Sequence, residues 1–222
     1  MRPFWIGVPL VLLAACAQSP APTPSTTTST TAHSAAVNPA NIKRVVRDLP
    51  PNYEVTTGIP SGVSPRVIWS LEADARAVPP QCAALADPGN GRDQTAQGFS
   101  ASGAGGIVNA VVVALPGPVD LDRGVVGACG RWTMSDGHTT ATVNRVDAPH
   151  IEGAETLGMV ADTKSSVESG TEIDSRAYAF TAYLGNYYAF TTLTTDPGSA
   201  LPALPPQFVA DLLVKTVSTL RS

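Results

Sequence analysis

The chain has 222 residues, 14 Lys and Arg against 18 Asp and Glu for a net charge of −4, and 43% hydrophobic but only 14% charged residues. That size holds one domain with appendages, not two large ones. With only three lysines (Lys43, Lys164, Lys215) and no basic cluster, the composition argues against nucleic acid as a partner, because neutralising phosphates takes concentrated positive charge.

Residues 1–15 read as a signal peptide of the lipoprotein type. A charged start at Arg2 leads into an apolar run from Pro3 to Leu13, and Ala14-Ala15 precede Cys16. The run is about half of the roughly 20 residues that a membrane-spanning helix needs. It suits export, not permanent insertion. The Leu13-Ala14-Ala15-Cys16 lipobox points to a Cys16 thiol that is linked to lipid, and two or three acyl chains anchor a protein stably where one does not. The expected location is the extracytoplasmic side of the cell membrane, in the cell envelope. Residues 16–40 follow with 20 Ala, Pro, Ser or Thr among the 24 positions after Cys16 and no charged residue. Such a stretch cannot bury enough apolar surface to offset ordering and reads as a disordered tether. Cys82 and Cys129 are then the only other thiols, and an even pair outside the cytosol suggests a disulfide.

Residues 41–222 form one expected domain. Asn38-Pro39 followed by Ile42, Val45, Val46 and Leu49 predicts a short helix stopped by Pro50-Pro51. Strands are expected at 53–57, 66–71, 96–102, 107–115, 131–134, 139–146, 157–162, 173–184 and 187–195, with a helical turn between Val119 and Ala128. Pro205-Pro206 opens a final helix whose stripe is Phe208, Leu212, Leu213, Thr216, Val217 and Leu220. Strands framed by a helix at each end place the chain in the α+β class.

Gly185-Asn186 between two strands suits a two-residue II′ hairpin and sets the register. Tyr178, Phe180, Ala182 and Leu184 then share a face with Tyr187, Ala189, Thr191 and Leu193. Ala177, Ala179, Thr181 and Tyr183 share the other with Tyr188, Phe190, Thr192 and Thr194. The first face is the more aliphatic and is assigned to the final helix. The second mixes aromatic, small and hydroxyl side chains, so Tyr183, Tyr188, Phe190, Thr181 and Thr192 are the expected lining of a ligand cleft.

Catalytic templates do not fit. The Ser-rich stretch 98–103 lacks GxSxG spacing, and Gly103-Ala104-Gly105-Gly106 precedes a strand instead of opening a helix, so it reads as a turn. His138 and His150 have no metal-ligand spacing, and Asp136-Gly137-His138 reads as a hairpin turn. No metal or cofactor is expected. The carboxylates Glu152, Glu155, Asp162, Glu168, Glu172 and Asp174 read as solvated faces.

Several blocks together carry a resemblance. They are the lipobox, the Ser/Thr/Pro tether, Pro79-Pro80-Gln81-Cys82-Ala83-Ala84-Leu85, Cys129-Gly130-Arg131-Trp132-Thr133-Met134, Glu152-Gly153-Ala154, the long hairpin and the final helix. In this order they resemble small mycobacterial lipoproteins related to the extracellular sensor domain of the kinase PknH. The resemblance implies a strongly curved antiparallel sheet with helices packed on it, a large cleft for an unidentified ligand, and a disulfide at the positions of Cys82 and Cys129. The chain lacks the second cysteine pair of the kinase domain. The expected function is a lipid-anchored, non-catalytic binding or sensor-like envelope protein, with a lipid-like or glycan-like ligand. The alternatives are a hydrolase acting on envelope glycan or lipid, and an accessory subunit docked on an envelope protein.

Overall fold

The computed structural model describes Met1 and residues 36–59, 63–167, 170–195 and 200–222. Cys16, the signal sequence and most of the tether lie outside the described residues, as does Glu168. The described residues from 36 onward belong to one compact unit.

The strands are β1 (Glu54–Thr57), β2 (Arg76–Val78), β3 (Thr95–Gly103), β4 (Gly106–Ala114), β5 (Arg131–Ser135), β6 (Thr139–Val146), β7 (Glu155–Ser166), β8 (Glu172–Tyr183) and β9 (Tyr187–Thr195). They form one open nine-stranded sheet in the order β1-β3-β4-β9-β8-β7-β6-β5-β2, antiparallel throughout. From β5 to β9 the chain runs as a meander. The step that closes the arrangement is β4 against β9, which no local signal announces.

Both expected terminal helices form. Asn38 caps the first, its side chain accepting from the Ala40 N–H at 3.2 Å. This segment, Pro39–Asp48, takes the 3-10 form with Ile42 and Val45 buried. α4 (Pro206–Leu220) begins on its proline and buries Val209, Leu212, Leu213, Val217 and Leu220, each large aliphatic contributing ~1.5–3 kcal/mol. The two helices share one face of the sheet, where they meet Phe99, Val108, Val112, Phe180, Leu184 and Leu193.

The hairpin register matches the expected pairs, from Tyr183↔Tyr188 through Thr181↔Phe190 to Ala177↔Thr194. Gly185 at φ 72° supplies the positive φ that a II′ turn places at its first central residue.

The stretch expected as a strand from Arg66 to Leu71 is instead α1 (Pro65–Ile68), followed by Ser70 at φ 61°. Val67-Ile68-Trp69 has strand-like composition, but Ser64-Pro65 is a helix start. Arg66 Nη1 also donates forward to the carbonyls of Leu71, at 2.8 Å, and Glu72, which an extended chain would carry out of reach. A 3-10 turn (Pro80–Cys82), α2 (Ala83–Ala86) and α3 (Arg123–Ala128) complete the helices. α1 and α2, with the chain between them, form a cover over the second face of the sheet. That core holds Trp69, Leu71, Leu85, Trp132, Met134, Met159, Tyr188 and Phe190.

Candidate functional site

The aromatic face is where the sequence places it, but it is core rather than cleft. Tyr188, Phe190, Thr181 and Thr192 are each 0% exposed and Tyr183 is 6% exposed. The Tyr188 and Phe190 rings stack at 6.3 Å. Asn109 Nδ2 donates to Thr192 Oγ1 at 2.9 Å. Tyr188 donates its hydroxyl to the Val63 carbonyl, and Gln94 Oε1 lies 3.1 Å from the same oxygen. Burial pushes the Tyr183 and Tyr188 phenols well above the usual range, and the nearby Glu155 and Asp87 carboxylates push the same way. A ligand on this face would have to displace the cover. Of the five residues expected to line a cleft, only Tyr183 reaches a described cavity, a hollow of about 80 Å³ beside Leu85, Leu121 and Val125.

Three ties hold the cover down and a fourth braces it internally. Cys82 and Cys129 are bridged, with Cα atoms 5.7 Å apart and both residues 0% exposed, as the cysteine count led us to expect. Tyr188 holds Val63. The Glu72 N–H donates to Asp136 Oδ2 at 2.9 Å. Asp136 is also the expected turn residue, accepting from the His138 and Thr139 N–H groups at 2.9 and 2.7 Å. Partial burial works to raise its pKa, but these backbone bonds outweigh burial and hold it below the usual carboxylate value. The fourth tie is a buried ion pair. Arg66 Nε and Nη2 both approach Asp87 Oδ2 at 3.0 Å, with side chains 11% and 4% exposed.

An accessible concavity lies elsewhere, at the end of the sheet where β4, β8 and β9 run out. It is a groove of about 820 Å³, its walls including Gly103–Ile107, Ile173, Ser175, Thr194, Thr195 and Leu201. Ile107 and Thr194 belong to one face of the sheet and Gly106 and Thr195 to the other, so the groove wraps the sheet's end. Three of its apolar side chains are open to solvent: Ile107 at 45%, Ile173 at 53% and Leu201 at 57% exposure. Gly105 is required here, because a Cβ on it would lie 2.7 Å from Leu204 Cγ, and its carbonyl accepts from the Leu204 N–H at 2.9 Å. That contact holds the segment before α4 against the β3–β4 turn. At the rim, Lys164 Nζ lies 3.2 Å from Asp174 and 3.8 Å from Glu172. The bond to Asp174 raises the lysine pKa.

From the sequence, the Gly-rich stretch was legible only as a turn, and Ile107 and Ile173 looked like ordinary strand residues. No signal within either strand separates an isoleucine that meets a core from one at a sheet's open end. Among the described residues, no three of His, Cys, Asp or Glu gather where they could hold a metal ion.

With this geometry in hand, comparison with known proteins assigns a family. Residues 38–221 match the family model DUF5642, a domain of unknown function. The chain belongs to this family. Among solved structures, an uncharacterized Mycobacterium smegmatis protein, the Rv0999 ortholog, is similar at 20% identity and TM-score 0.62, over 85% of this chain and 100% of its own. The two share the fold. The extracellular domain of PknH from Mycobacterium tuberculosis is similar at 15% identity and TM-score 0.41, over 82% of this chain and 92% of its own. The expected likeness to a mycobacterial protein is thus found at the level of the fold. No curated protein matches the sequence.

Proposed function

We propose that this domain is a non-catalytic, sensor-like binding module on the extracytoplasmic side of the membrane, anchored by lipid on Cys16, with the groove at the end of the sheet as its binding surface. The groove carries the reading. Its volume falls in the range of small-molecule sites, about 300–1,000 Å³. Exposed Ile107, Ile173 and Leu201 beside Ser175, Thr194 and Thr195 offer apolar contact with hydroxyl edges, the chemistry that a lipid-like or glycan-like ligand needs. The rim carboxylates Glu172 and Asp174 share Lys164 and are more than half exposed, an arrangement of solvated charge. The buried Cys82–Cys129 bridge supports an oxidising compartment, as does the sequence resemblance to PknH-type extracellular domains.

The test is native mass spectrometry of the protein purified from its own envelope, beside an Ile173→Arg variant. Ile173 is half exposed, so the substitution should leave stability within ~0.5 kcal/mol. The expected result is a co-purifying small molecule on the parent that is absent from the variant. A parent at the mass of the bare chain, or a molecule retained equally by Ile173→Arg, would count against the groove.

A further inference from the structure

The charges of this chain are unevenly distributed. Every Asp and Glu lies at or after residue 48, so residues 48–222 carry ten basic and eighteen acidic side chains, a net of −8. Residues 16–47 carry Lys43, Arg44 and Arg47 and no acidic side chain. The expectation of no basic cluster therefore holds after residue 48 and fails on the N-terminal 3-10 helix. Asymmetry of this kind points to a polyanionic surface as partner.

The fold leaves all three residues exposed, with Lys43 about a third of a turn from Arg44. Ile42 and Val45 are buried against α4 and the sheet, which leaves Lys43, Arg44 and Arg47 exposed. None of the three makes an ion pair among the described residues. Arg44 and Arg47 are one 3-10 turn apart and so lie above one another. The acid on the same helix, Asp48, is engaged by Lys215 Nζ of α4 at 3.3 Å. Asp211, one turn before Lys215, accepts from Gln207 at 2.8 Å. Asp48, the acidic side chain on this helix, is thus already paired with a lysine of α4.

Its place in the chain identifies the polyanion. The helix starts at Pro39, directly after the stretch that leads back to Cys16. Between Cys16 and Pro39 lie 22 residues, a covalent reach of at most about 75 Å. The basic helix is the first folded element beyond the anchor.

We propose that Lys43, Arg44 and Arg47 form a membrane-facing surface that binds anionic phospholipid headgroups and sets how the anchored domain stands on the bilayer. This rests on the anchored reading above only for the proximity; the charge complementarity is independent of it. A cation near an anionic bilayer strengthens binding about fivefold, so three together contribute about 100-fold, in a salt-dependent way.

The experiment uses the full chain in two forms, with Cys16 and with Cys16→Ser, mixed with phosphatidylcholine vesicles with or without phosphatidylglycerol, at low and high salt. Co-sedimentation is read together with the rate at which an amine reagent labels Lys43, with Lys164 as the exposed control. The expected outcome is tighter, salt-sensitive association with the anionic vesicles in both forms and slowed labelling of Lys43 but not Lys164. The association should be lost in the triple variant Lys43→Glu, Arg44→Glu, Arg47→Glu, and the slowed labelling of Lys43 in the double variant Arg44→Glu, Arg47→Glu; the melting of both should match the parent because the side chains are exposed. Equal behaviour on neutral and anionic vesicles, or anionic binding that survives the triple variant, overturns the proposal. Loss of the Cys16 form from neutral vesicles would count against the lipid anchor alone, since the charge effect is read separately in the Cys16→Ser form.

Discussion

Removing Arg66 should undo the cover. Its guanidinium is the counter-charge of Asp87, reached from Nε and Nη2 at 3.0 Å, and it also satisfies the carbonyls of Leu71 and Glu72. Arg66→Ala leaves a carboxylate in the core whose other oxygen, Oδ1, already has no hydrogen-bond partner. Breaking a buried pair in this way costs ~3–5 kcal/mol, and the two lost carbonyl bonds place it toward the upper half. Each kcal/mol moves the melting temperature of a domain of this size by ~2–4 °C, so a drop of roughly 10 to 15 °C is expected in thermal denaturation of the oxidised chain at neutral pH. A variant that melts within about 2 °C of the parent would refute the reasoning.

Asp87 supplies a second and sharper reading of the same pair. Burial raises its pKa above the ordinary carboxylate value, and the Arg66 charge and hydrogen bond offset only part of this. The native state therefore holds the proton more tightly than the unfolded chain. Stability from this group is smallest at neutral pH and grows as pH falls from the raised native pKa toward the unfolded value of ~3.9. A carboxylate stabilised by its partner has the opposite sign. Measured against Asp87→Asn, the parent should gain stability on acidification over that window; a gain that reverses sign would show that the ion pair outweighs desolvation.

Three further outcomes are expected. Cys82→Ser with Cys129→Ser opens a loop with a sequence separation of 47 and should cost ~4 kcal/mol on the chain-entropy model, read as a lowered denaturation midpoint that matches the reduced parent. Tyr188→Ala, at a fully buried position, should cost ~3–5 kcal/mol and loosen the cover, whereas Tyr188→Phe should lose only the hydroxyl bonds, ~1–3 kcal/mol; equal costs would show that the ring carries nothing. Cys16→Ser should leave the chain unprocessed or free of the membrane, and unchanged detergent partitioning would refute lipidation at that cysteine.

What the sequence determined by itself was local and periodic. Alternation along Ala177–Leu184 and Tyr187–Thr194, pinned by Gly185, specified the hairpin register, because a slip by one residue would turn every side chain to the other face. The stripe from Leu212 to Leu220 marked one face of α4, and the apolar character of Phe180, Leu184 and Leu193 placed that helix on them. Two cysteines left in an exported chain pointed to the bridge. Only the tertiary structure decided what covers Tyr188 and Phe190. The covering helices α1 and α2 span four residues each, too short for a 3.6-residue period to show, and Val67-Ile68-Trp69 has the composition of a strand. Their position comes from contacts far apart in the chain: Arg66 to Asp87, Val63 to Tyr188, Glu72 to Asp136 and Cys82 to Cys129. The groove is likewise a product of where β4, β8 and β9 stop relative to one another, and a strand's own pattern carries its faces but not its neighbours or its exposed end.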